Sequence, residues 1–158
     1  MSIGVRAVND HDAAAWGELF SAYRTFYNEP YDPAAVSRAW RWVSECHHGL
    51  CGLVAVDAED SPVALANLRW FADPSTATMG LYLDDLFTAP HARGRGAARA
   101  LLRHASNMAH DDGASVVRWI TAADNATARA LYDSVAVATS WVTYEMPIEG
   151  RVTGLREA

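Results

Sequence analysis

The sequence predicts a mixed α/β fold built on one central sheet, and three observations carry that expectation. Apolar residues recur at helical spacing in the first third of the chain, strand-like alternation takes over from Leu50, and helical and strand signals then alternate to the end. A chain of 158 residues, 51% of them apolar, can bury a sizeable core as one domain without disulfide or metal support.

Ile3 to Val8 alternates apolar with other residues and reads as a strand; Asn9 or Asp10 then caps a helix presenting Trp16, Leu19, Phe20 and Tyr23. Asp32-Pro33, a capping residue followed by proline at the first helical position, starts a second helix running to about Glu45, with Val36, Trp40 and Val43 along one face. Leu50 to Ala58, Pro62 to Phe71 and Met79 to Thr88 form an antiparallel meander punctuated by turn-forming residues. After Pro90 a glycine-bearing turn opens a helix whose Ala98, Leu101, Leu102, Ala105, Met108 and Ala109 make one apolar stripe. Ser115 to Thr121 is expected as a buried strand, Asp124 as the cap of a helix to about Val137, and Thr139 to Ile148 as a closing strand. The expected order is β-α-α-β-β-β-α-β-α-β over residues 1–148, with 149–158 a polar tail.

Composition narrows the function. All 13 basic residues are arginine, against 19 acidic ones, for a net charge of −6; that balance argues against a nucleic-acid partner and suits a cationic one. No run of apolar residues reaches membrane-span length, and Met1 to Asp12 lacks the features of a secretory signal, so a cytoplasmic, membrane-free protein is expected. The two cysteines, Cys46 and Cys51, fit a reducing compartment. With His47 and His48 they have irregular spacing for a metal site, and no metal is expected.

The segment from Leu81 to Leu102 carries the chemistry. A strand, Leu81-Tyr82-Leu83-Asp84-Asp85-Leu86-Phe87-Thr88, delivers the chain through Ala89-Pro90-His91-Ala92 into Arg93-Gly94-Arg95-Gly96-Ala97-Ala98 and a helix. Glycines without Cβ atoms let phosphates approach the backbone, and the first-turn amides with the positive helix end attract them. There is no Gly-Lys-Ser/Thr of a P-loop and no third glycine of a dinucleotide fingerprint, so a different phosphate ligand is implied.

Arg93-x-x-Gly96-x-Ala98 resembles the pyrophosphate-binding motif of the GCN5-related N-acetyltransferases (GNAT), and Asn125 to Asp133, with Arg129 and Leu131-Tyr132, resembles the helix that follows their fifth strand. The Leu-Tyr-Asp and Trp-Val-Thr-Tyr regions are similar to the Hpa2-like histone and polyamine acetyltransferase branch. The resemblance implies acetyl-coenzyme A held between splayed strands four and five, its pyrophosphate over Arg93, Gly94, Arg95, Gly96, Ala97 and Ala98, and its acetyl arm along Leu86, Phe87 and Thr88. Strand amides there would polarise the thioester carbonyl. It further implies that Asn125 and Arg129 serve the cofactor side and that Tyr132 meets the departing sulfur; seven residues separate Asn125 from Tyr132, two helical turns, which would point both side chains the same way. A phenol near ~10 is a weaker acid than a thiol near ~8.5, a gap of roughly 2 kcal/mol, so hydrogen bonding during departure describes Tyr132 better than outright proton donation.

The acceptor raises a proton problem, because an alkylammonium near ~10.4 leaves only about one molecule in 2,500 neutral at pH 7, a penalty of roughly 4.6 kcal/mol. Asp84 and Asp85 are the candidates for amine binding and water-relayed proton removal, matching the acidic pair of polyamine acetyltransferases; in a regular strand they face opposite sides, and only a bulge lets both reach one amine. Tyr27, Glu29 and Tyr31, between the first two helices, could hold a cation over the acceptor pocket or simply pack. The expected function is acetyl transfer to a small cationic amine by direct attack in a ternary complex. The alternatives are a protein lysine or N-terminal acceptor, or a catalytically silent acyl-coenzyme A binding domain. A homodimer completing the sheet edge is also expected.

Overall fold

The computed structural model describes residues 2–150. The chain divides into two compact units, Met1–Trp119 and Ile120–Ala158.

In the first unit, strands β1 (Gly4–Ala7), β2 (Leu50–Val56), β3 (Pro62–Asp73), β4 (Thr78–Thr88) and β5 (Val117–Arg118) form one sheet in the order β1-β2-β3-β4-β5. The first four are antiparallel neighbours and β5 joins β4 in parallel, so the sheet is mixed, as the alternating pattern implies. Helices α1 (Ala13–Phe26) and α2 (Pro33–Ser44) precede β2, and α3 (Ala97–Asp111) lies between β4 and β5.

Local chemistry sets the helix starts. Asn9 accepts from the His11 amide while the Asp12 carboxylate accepts from the Asn9 amide, a reciprocal cap that opens a short 3-10 turn into α1. Asp32 Oδ1 accepts from the Ala35 amide at 2.9 Å, with Pro33 in the first turn of α2. One face of the sheet buries Val54, Val56, Leu65 and Phe87 against Trp16, Leu19, Phe20 and Tyr23 of α1 and Val43 of α2. A Cβ on Gly52 would sit 2.3 Å from Val43 Cγ1, so a glycine there lets α2 settle onto β2. Helix α3 packs across β1 to β4, burying Ala97, Leu101, Leu102, Ala105 and Ala109.

Three expectations are corrected. The buried strand foreseen over Ser115 to Thr121 is two residues long, pairing Leu81 with Val117 and Tyr82 with Arg118. Among the described residues only one of its sides has a strand to bond, and Arg118 is exposed with its guanidinium 5.3 Å from the Phe71 ring centroid. In the second unit α4 spans Ala126–Tyr132, shorter than foreseen, and its cap is Asn125 rather than Asp124: Asn125 Oδ1 accepts from the Ala128 amide at 3.3 Å. The closing strand over Thr139 to Ile148 does not form; that stretch makes no ladder among the described residues and leaves Trp141 and Tyr144 about nine-tenths exposed. Alternating apolar residues make a strand only where an edge is available to pair with them. Of the polar tail, residues 151–158 lie outside the described residues.

Candidate active site

The site is built from β4 outward. Asn67 of β3 faces Asp85 while its neighbour Leu68 faces Leu83, so Asp84 is an extra residue, a β-bulge in β4. The bulge removes the alternation that would have parted the two carboxylates. Asp84 takes both its hydrogen bonds from Arg69, Nε to Oδ2 at 3.1 Å and Nη2 to Oδ1 at 2.9 Å, and Asp85 Oδ2 accepts from Asn67 Nδ2 at 3.0 Å. Asn67 and Arg69 are alternate residues of one strand, on the face that also carries Leu65, so both aspartates lie on the α1/α2 side of the sheet.

This bidentate pairing, chiefly the hydrogen bond with Asp84, raises the Arg69 pKa further above its already high ordinary value. The same guanidinium lies 5.2 Å from the Tyr82 ring centroid. Asn67, only 2% exposed, also accepts from Trp16 Nε1 at 3.2 Å.

Past the bulge, β4 continues to Thr88, whereas its pairing with β5 involves only Leu81 and Tyr82; among the described residues no strand covers the β5 side of Leu83 to Thr88. Such an uncovered edge presents main-chain amides and carbonyls at fixed spacing. The side chain of Phe87 points into the core, edge-on to Tyr23 at 6.3 Å.

The chain then turns through Pro90–Ala92 into Arg93, Gly94, Arg95 and Gly96. Gly94 and Gly96 adopt φ of +74° and +84°, the left-handed region that favours glycine, and a Cβ on either would meet nothing within 4 Å. Space, therefore, is open above both. Gly96 is the N-cap of α3 and supplies no capping side chain, so the first-turn amides of α3 lead out into that space with the positive end of the helix. An anionic diphosphate fits this cradle, and Ala97 and Ala98 keep the helix start small. Arg93 itself is turned back: its Nε donates to the Thr88 carbonyl at 3.2 Å and its guanidinium sits 5.7 Å from the Phe87 centroid, bracing the strand end.

In the second unit, Asn125 and Tyr132 bracket α4. Asn125 has non-helical ψ of 69° and spends its carbonyl oxygen on the cap, so the expectation that two helical turns align it with Tyr132 does not apply. Arg129 Nη1 donates to the Ala123 carbonyl at 2.6 Å.

Between α1 and α2, Tyr27 packs edge-on against Tyr23 at 5.0 Å, joining the ring series that ends on Phe87, while Glu29 is half-buried and Tyr31 is 88% exposed. The three residues are thus not gathered into one cage by their own packing. Cys46 is exposed, and burial together with nearby Cys46 pushes the half-buried Cys51 thiol up to about 11. No group of three or more His, Cys, Asp or Glu among the described residues is placed to hold a metal. No helix among them is long and apolar enough to cross a membrane.

Sequence reasoning missed Trp16, Asn67 and Arg69 as site residues. Asn67 had a signal: it is the one polar side chain in the run Val63 to Leu68, where a sheet interior admits polarity only with a partner.

Comparison with known proteins defines the class. Residues 16–136 match the model of the acetyltransferase (GNAT) family. The chain is 32% identical over 133 residues to the uncharacterized N-acetyltransferase YhfO of Bacillus subtilis (strain 168), covering 83% of this chain and 87% of that protein. It is 26% identical over 144 residues to the D-amino-acid N-acetyltransferase HPA3 of Saccharomyces cerevisiae, covering 90% and 89%. A crystal structure of a probable acetyltransferase superposes with TM-score 0.82 at 23% identity, covering 96% of this chain and 100% of that one. The chain belongs to the acetyltransferase (GNAT) family and is an N-acetyltransferase, transferring an acetyl group to an amine; acetyl-coenzyme A is the family's co-substrate.

Proposed function

We propose that the protein acetylates a small cationic amine, a polyamine or an amine of similar size, by direct attack in a ternary complex with acetyl-coenzyme A. The observation that carries this reading is the bulge, which sets two carboxylates on one face of β4 at the head of a strand edge that no described strand pairs with and that runs into the glycine turn.

Diphosphate oxygens sit over Arg93, Gly94, Arg95, Gly96, Ala97 and Ala98, and the arm bearing the thioester follows Leu86, Phe87 and Thr88, where main-chain donors polarise the carbonyl. Asn125 offers the arm its Nδ2, since its Oδ1 is committed to the α4 cap, and Arg129 supports the same side. The ammonium binds at Asp84 and Asp85, with Tyr27, Glu29 and Tyr31 on the acceptor side. A water chain ending at the aspartates takes its proton; the neutral nitrogen attacks the carbonyl carbon, the C–N bond forms as the C–S bond breaks, and Tyr132 hydrogen-bonds the departing sulfur. The second N–H proton leaves the nitrogen as the amide forms and neutralises the thiolate through solvent, so the products are the N-acetyl amine and the free thiol.

A small acceptor also agrees with the net charge of −6 and with the amino-acid acceptor in the name of the yeast relative. This reading places the protein in the Hpa2-like, polyamine-type branch of the family. Two free thiols suit the cytoplasm, and the exposed apolar chain around Trp141 and Tyr144 suits a second copy of the chain covering it. A thiol-release assay with acetyl-coenzyme A across polyamines, D-amino acids, aminoglycosides and basic peptides is the test. Turnover on a small cationic amine is expected; turnover confined to peptides overturns the small-acceptor reading.

A further inference from the structure

We propose that Trp16 and Asn67 form a buried hydrogen-bond relay that positions Asp85 as the acceptor carboxylate, while Asp84 braces the bulge through Arg69. The proposal rests on the reading above that the amine binds at this acidic pair, and it divides labour between two residues that the sequence leaves equivalent.

An indole N–H is a donor only, and Trp16 Nε1 lies 3.2 Å from Asn67 Oδ1. Turning the Asn67 amide over would set its NH2 against that N–H, two donors face to face, so the indole fixes which end of the carboxamide points where. The other end, Nδ2, is thereby directed at Asp85 Oδ2, 3.0 Å away and directly opposite in the strand register. Trp16 is 0% and Asn67 2% exposed, so water does not replace the bond between them. Stacking on Phe20 at 4.7 Å and contact with Trp40 at 5.3 Å hold the indole itself. A donor anchored this firmly holds Asp85 Oδ2 in place, and a hydrogen bond donated to a carboxylate is strongest for the charged form that an ammonium requires.

Asp84 is placed differently. Both its oxygens are taken by the Arg69 fork, whose charge offsets its own. Beside Asp85 on β3 and β4 stands this compensated pair, and from α1 the titratable Tyr23 lies on the same face against Phe87.

The test is a ligand-free NMR titration of the 13C-labelled aspartate carboxyls in the full chain, comparing wild type with Asn67→Leu and Trp16→Phe. The Asp85 midpoint is expected to rise by about one unit in Asn67→Leu and by less in Trp16→Phe. An Asp85 titration that is the same in all three proteins overturns the relay. Trp16→Phe keeps a ring in the aromatic stack and carries the test where Asn67→Leu does not fold. Kinetics then separate the two layers of the argument. Asn67→Leu should raise the amine KM several-fold with the acetyl-coenzyme A KM unchanged, and that effect should vanish in an Asp85→Asn background. Equal, additive losses in both backgrounds overturn the relay, whereas an Asp85→Asn enzyme that keeps its amine KM overturns the acceptor-site reading instead.

Discussion

The protein holds two arginine–aspartate clusters built from the same chemical parts and used in opposite ways. At the sheet's outer strand, Arg6 of β1 grips Asp12 with Nη1 at 2.7 Å and Nη2 at 3.0 Å, and reaches Asp60 with Nε at 2.9 Å. Asp12, 3% exposed, also accepts from the Asn9 amide, so its carboxylate is consumed in tying β1 to the start of α1. At the β4 bulge, Arg69 and Asp84 are 43% and 27% exposed, and a second carboxylate, Asp85, is set beside them by a neutral donor. Burial makes the first cluster a fastener. Partial exposure and an added carboxylate suit the second to the cationic amine of the proposed reaction.

The largest expected effect separates the two by stability. Asp12→Ala leaves Arg6 without its buried partner and should cost about 3 kcal/mol in urea unfolding, with the amine KM of the surviving folded enzyme unchanged. The exposed Arg69–Asp84 pair is worth at most about 1 kcal/mol by the same measure. Asp85→Asn should do the reverse: roughly a 10- to 100-fold rise in amine KM in the thiol-release assay with little change in stability. An Asp85→Asn protein that is destabilised with its KM intact would make the bulge a second fastener and erase the contrast.

Acid sharpens the same comparison with a smaller effect. Burial works against ionisation of Asp12, but the hydrogen bonds from Arg6 and the Asn9 amide prevail and hold its pKa below the usual carboxylate range. A depressed folded value means stability that is complete above the unfolded value of about 3.9 and is lost as pH falls below it through the folded value. Wild-type urea midpoints should therefore drop below about pH 4, and Asp12→Ala should show a shallower drop over that window.

Much of this architecture was legible because its signals are local. Asp32-Pro33 and Asn9 mark helix starts through contacts two or three residues away, and the Leu50–Thr88 meander follows from alternation and turn residues. Gly94 and Gly96 announce positive φ by residue type alone. What escaped was non-local. Arg6 and Asp60 are 54 residues apart, Trp16 and Asn67 are 51 apart, and no pattern within a window pairs them. The need for a bulge at Asp84-Asp85 followed from the chemistry of one amine and two carboxylates, whereas its existence depends on the register with β3. Spacing alone makes Asn125 a helix-face residue because it cannot distinguish a cap from the first turn. The strand expected over Thr139 to Ile148 failed for the complementary reason, since its alternation was real but no described edge pairs with it.

If a diphosphate rests on the main chain where β4 turns into α3, calorimetric titration of coenzyme A into wild type and Gly96→Val will show it. Valine at φ +84° is strained and sets a branched side chain in the open space over the cradle. The account expects coenzyme A to bind wild type and the variant's Kd to rise by about 30-fold or more, with the fold retained by circular dichroism. Equal affinity in the two proteins would place the phosphates elsewhere and contradict the account.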